Sequence, residues 1–251
     1  MKVNLKQKAN FAPRQLLIVL LFIESVIISI ALTKAAIKGL SPAHYFGEGR
    51  LVTDVSCIQL LIASALAGVT FQTVKNANAK LSVNSGFWLL TCLGLFFLAF
   101  DDAYEIHEHL DLWLHDVLQI RQTDLTDLID DSIVGGYLLI FLGYVAKKWR
   151  SLQVFRCSFV FFKIGSILTA VMIILDLLGN NDYFISLAID NPVRIKAVEQ
   201  WLGAIEDSIK IIAEGLFIVG IYHCWQIARF FKSQLKSNLD NDSKFNGKGN
   251  E

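Results

Sequence analysis

The chain of 251 residues has no excess of either charge, because 23 Lys and Arg balance 23 Asp and Glu. A nucleic-acid binder would carry a basic excess, so nucleic acid is not an expected partner. Cysteine is scarce: Cys57, Cys92, Cys157 and Cys224 form no CxxC pair and all fall in apolar runs. That placement suits small core residues rather than disulfides or zinc ligands. Proline is scarcer still, with Pro13, Pro42 and Pro192 all outside the long apolar runs. No Pro-broken helix pair therefore marks a substrate site at a membrane midplane.

Apolar residues are what the chain has in quantity, at 54% of the sequence with a mean hydropathy of +0.48. Crossing roughly 30 Å of hydrocarbon takes about 20 predominantly apolar residues. Six stretches meet that need, near 14–38, 51–75, 86–110, 127–146, 156–178 and 201–229. The expected architecture is all-α and polytopic, a bundle of about six transmembrane helices over residues 1–231 whose immediate partner is the lipid bilayer. Residues 232–251 are polar and too poor in large apolar side chains to order themselves, which predicts a disordered tail. The apolar run after Arg14 is longer than a signal-peptide core of about 7–15 residues, so it reads as the first span.

Orientation follows from the basic residues, which concentrate in short cytoplasmic loops. With the N-terminus inside, fifteen of the 23 Lys and Arg fall on the inner side and six on the outer, while Lys163 and Lys210 lie within spans. Both termini are then cytoplasmic, and the expected location is a bacterial inner (cytoplasmic) membrane. The outer segment 111–126 places Leu112, Trp113 and Val117 at near-helical spacing, as an interfacial helix would. Gly136 and Gly143 share a face of the fourth span, which suits close helix packing.

Charged residues inside the spans gather at their outer ends. Asp101, Glu105 and Glu108 on the third span, Asp131 on the fourth, Asp176 on the fifth, and Glu206, Asp207 and Glu214 on the sixth all map there. Gly86 to Asp101, Lys147 to Asp131 and Arg229 to Glu214 are 15, 16 and 15 residues apart. At 1.5 Å per residue these carboxylates share one level about 22–24 Å from the inner side. Helical phase puts Asp101, Asp102, Glu105, Glu108 and His109 on one arc of the third span, with His107 outside it. On the sixth, Lys210 stands one turn from both Glu206 and Glu214, where i,i+4 pairing can hold the face together. These residues predict an outward-facing acidic and histidine pocket, with Asp102, Asp131 and Asp176 in its wall.

Four explanations fit such a layer. The helices end early and the acids stand in water. A divalent iron, manganese or zinc ion is held by Asp101, Glu105, Glu108 and Glu214 with His107 or His109, since carboxylates with imidazole suit these metals. A hydrolase uses Glu206 and Asp207 to polarise water. A transporter takes up protons or a cation through Asp101, Asp131 and Glu214, with Glu24, about 15 Å from the inner anchor Arg14, as an inner step.

Two resemblances attach to these motifs. Asp101, Asp102, His107 and Glu108 form a D-[DE]-x4-H-E segment that resembles uncharacterised multi-span bacterial membrane proteins, which implies the membrane fold and no activity. The EDSIK element at 206–210 resembles the E-E-x-x-K motif of PrsW-like and CaaX-type glutamic membrane proteases, with Asp207 in place of the second Glu. That resemblance implies Glu206 as a catalytic base supported by Asp207 and Lys210.

Overall fold

The computed structural model describes residues 11–47, 49–81, 85–118, 128–179, 185–186, 189 and 191–246. Among them the chain is helical with no strand: α1 Phe11–Ile37, α2 Leu51–Leu81, α3 Ser85–Tyr104, α4 Ile106–Leu118, α5 Leu128–Leu152, α6 Phe159–Gly179 and α7 Pro192–Asn246. Five stretches are long and apolar enough to cross a membrane: Pro13–Ile37, Leu51–Ala77, Ser85–Tyr104, Leu139–Gly179 and Pro192–Gln234. The fourth holds two helices, divided by a 3-10 segment, Gln153–Ser158, in which Phe155 leaves helical geometry. The five stretches thus contain six helices, and the protein is a polytopic, all-α membrane protein.

Helix ends follow from local chemistry. α1 stops at a glycine cap, where Gly39 takes a φ of +64° and the Gly39 and Leu40 amides donate to the Ala36 and Ala35 carbonyls. α7 begins where the Asn191 side-chain oxygen accepts the Val193 amide at 2.9 Å and Pro192 occupies the first helical position. α1 is apolar all round and leaves Ile18 and Phe22 more than 60% exposed. A surface of that kind belongs against lipid rather than water.

α7 is the axis on which α1, α2 and α6 pack, while α2 and α3 lie side by side. Its 55 residues measure about 82 Å at 1.5 Å each. Both ends therefore stand outside any hydrocarbon layer that its middle crosses. It continues to Asn246, so residues 232–246, assigned by composition to a disordered tail, are helical. Extending a formed helix by one residue is far cheaper than starting one, which composition alone does not register.

Two apolar clusters fill the bundle. One joins Ala31 of α1, Phe46, Val52 of α2, and Ala204 and Ile211 of α7. The larger joins Ala63, Ala67 and Val74 of α2, Phe87 and Trp88 of α3, Phe155, and Ile218 and Ile221 of α7. The segments between them, from Val52 to Ala63 on α2 and from Ile211 to Ile218 on α7, carry the polar residues described below.

Among the described residues the expected glycine face on α5 does not serve packing, because none of their atoms lies within 4 Å of a Cβ added at Gly136 or Gly143. α5 instead docks on α3 through stacked rings of Phe87 and Tyr144, 5.9 Å between centroids. Close glycine packing occurs between α6 and α7. There Gly165 faces Phe217 and Gly220 faces Phe162, each with room only for a hydrogen.

Candidate functional site

Four helices bring polar side chains to one place. α2 contributes Ser56 and Gln59, three residues apart and so on one face. α7 contributes Lys210 and Glu214, one turn apart, α3 contributes Asp102 near its C-terminal end, and α1 contributes Glu24. Lys210 Nζ forms an ion pair with Asp102 Oδ1. Ser56 Oγ lies 2.7 Å from Asp102 Oδ2 and 2.8 Å from Glu214 Oε1. The Cys57 thiol donates to the same Asp102 oxygen at 3.6 Å. Gln59 Nε2 donates to Glu24 Oε1 at 2.8 Å.

Burial deepens along this chain of contacts. The Lys210 and Asp102 side chains are half-buried, while Glu214 and Glu24 are buried. The Lys210–Asp102 pair thus forms a mouth, and Glu24 is the innermost acid. Beyond Glu24 and Gln59 the larger apolar cluster closes the bundle. Gly215 permits this arrangement, because a Cβ there would come within 3.1 Å of Glu24 Cδ and overlap its carboxylate oxygen.

The Ser56 contacts have a chemical consequence. A hydroxyl carries one hydrogen and donates to one acceptor at a time. Flanked by two carboxyl groups at hydrogen-bond distance, Ser56 satisfies both only when one carboxyl carries a proton and donates to the serine oxygen. Lys210 balances the charge of Asp102, so the proton belongs on Glu214, which has no cation bonded to it among the described residues.

The structure redistributes the expected residues. Lys210 forms an ion pair across helices with Asp102. A lysine stem reaches a facing helix as readily as the next turn, and sequence spacing shows only the second choice. Asp102 makes these contacts, while Asp101, about 100° round α3, is buried beside it. Asp207 lies within electrostatic reach of Lys210, Asp102 and Asp176, and Glu206 is half-buried on the same turn of α7.

The single arc expected on the third span is broken. Glu105 has a φ of +52°, α3 ends at Tyr104, and α4 starts in a new direction at Ile106. A left-handed residue with a Cβ costs roughly 1–2 kcal/mol, and no simple sequence pattern announces it. His109 braces the break by donating its backbone N–H and its Nδ1–H to the Glu105 carbonyl, at 3.0 and 2.8 Å. α4 is the amphipathic helix expected after the third span, exposing Leu112, Trp113 and Val117. His107 and Glu108 on α4 and Asp131 on α5 lie outside the described side chains. Among the described residues, no three His, Cys, Asp or Glu side chains stand together as a metal-holding group.

Sequence reasoning missed Ser56, Gln59 and Gly215. The available signal was the buried polar row Thr53, Ser56, Gln59 and Ser64 along an otherwise apolar α2. Its spacing of mostly three residues marks a helix face turned inward.

No curated protein and no solved structure matches this chain. A family model does match, over residues 15–225, described as a domain of unknown function (DUF8692). The chain belongs to that family.

Proposed function

We propose, taking membership of that family as the premise, that this polytopic protein is a proton-coupled carrier or binder whose site is the Lys210–Asp102–Ser56–Glu214–Glu24 network. The observation that carries the proposal is Ser56 held between two carboxyl groups, an arrangement that stores one proton inside the bundle. The mouth-to-interior gradient of burial and the apolar closure beyond Glu24 support access from one side, as a carrier caught in one state would have. Buried ionisable groups that face a bundle interior commonly serve such proton pathways. The basic bias of the loops supports cytoplasmic termini in a bacterial inner membrane, with the mouth turned outward.

Divalent-metal and glutamic-hydrolase chemistry draw less support. Among the described residues, no three His, Cys, Asp or Glu side chains form a metal-holding group. Lys210, which would support Glu206 in a hydrolase, is committed to Asp102.

Infrared spectroscopy of the protein in lipid at neutral pH tests the proposal. The wild type should show the C=O stretch of a protonated carboxyl, shifted by deuterium exchange, and Glu214→Gln should lack it. Ser56→Ala should move the band, because the group loses its acceptor. A wild type without a protonated carboxyl band would overturn the proposal.

A further inference from the structure

The network leaves three oxygens unused. Glu24 Oε2, Gln59 Oε1 and Glu214 Oε2 have no hydrogen-bond partner among the described residues, and each belongs to a residue at least nine-tenths buried. They come from α1, α2 and α7, and their neighbours hold them together. Ser56 contacts Glu214 and Gln59 contacts Glu24 from adjacent positions on one face of α2. The Glu24 carboxylate itself rests on Gly215, the residue after Glu214. Buried oxygens without partners are costly, and three acceptors with no facing donor suit a bare cation.

Charge decides the class of cation. Lys210 and Asp102 cancel, and Glu214 is neutral when it donates to Ser56. Among the three residues that carry the unused oxygens, only Glu24 is then charged. We propose that Glu24, Gln59 and Glu214 bind one monovalent metal cation of the sodium class through these three oxygens, one carboxylate, one amide carbonyl and one neutral carboxyl. Hard cations prefer such all-oxygen sets, and ions of this kind are bound inside carrier bundles where helices converge. The inference rests on the proton assigned to Glu214 above, since two ionised carboxylates would match a divalent ion instead.

Thermal unfolding of the purified full chain at pH 8, in sodium chloride or choline chloride of equal ionic strength, provides the test. A ligand that binds only the folded state raises Tm with its concentration. Sodium should raise Tm relative to choline, Glu24→Gln should abolish that rise, and Gly136→Ala, far from the site, should retain it. Binding of radioactive sodium to the wild type, displaced by unlabelled sodium and not by choline, reads the same site should Glu24→Gln not fold. Equal Tm in both salts with no displaceable sodium would overturn the inference. So would a larger rise with magnesium or calcium than with sodium. A protonated Glu214 band without any sodium effect sinks this inference alone, whereas a missing band sinks the proton proposal on which it stands.

Discussion

The bundle contains two neighbouring regions built on opposite terms. In the apolar region, α6 and α7 interlock by shape, with Phe217 against Gly165 and Phe162 against Gly220. Phe87, Trp88 and Phe155 meet edge to face beside them. In the polar region one turn away, the same α7 meets α3 through an ion pair and α2 through a shared hydroxyl, α2 meets α1 through an amide, and three oxygens have no partner among the described residues. The first region is made of apolar side chains and aromatic rings, with the Trp88 indole N–H as its own unpartnered polar atom among the described residues. The second is incomplete in hydrogen bonding, and an arrangement optimised for stability alone would not bury unpaired oxygens beside close-packed rings.

Substitutions can break this contrast. The largest effect is expected for Asp102→Asn, which takes from the Lys210 ammonium the carboxylate it is bonded to. Loss of one member of such a pair costs about 3 kcal/mol, seen as easier unfolding in detergent. Adding Lys210→Met should restore much of that loss, and a single variant as stable as wild type would show that the pair is solvated. Gly220→Ala should cost about 2 kcal/mol, because the new methyl would meet the Phe162 ring at 3.0 Å. It should leave the Glu214 infrared band in place, which separates packing from proton holding. Gly136→Ala should stabilise by about 0.5 kcal/mol, since nothing stands within 4 Å and alanine loses less chain entropy in a helix. A destabilised Gly136→Ala would restore the packing role that sequence spacing suggested.

Much of the polar region was visible as a level before it was visible as a site. Counting residues put Asp101, and so Asp102 beside it, at the depth of Glu214, and these helices do meet there through Ser56. The count works because helical rise is constant. The same count puts Glu24 about 7 Å nearer the inner side, and Glu24 is the most buried acid of the network. The break at Glu105 escaped altogether. A residue with a Cβ at positive φ is held by its surroundings, here including the His109 ring on the Glu105 carbonyl, and no residue type signals it.

The amino-acid sequence determined that this protein is helical and membrane-spanning. Those properties depend on composition and on the period of a single helix. Which acid meets the lysine, which hydroxyl shares a proton, and which glycine admits Glu24 were decided only by tertiary structure. Partner choice between helices depends on their relative rotation, height and tilt, and no repeat along one chain segment encodes them.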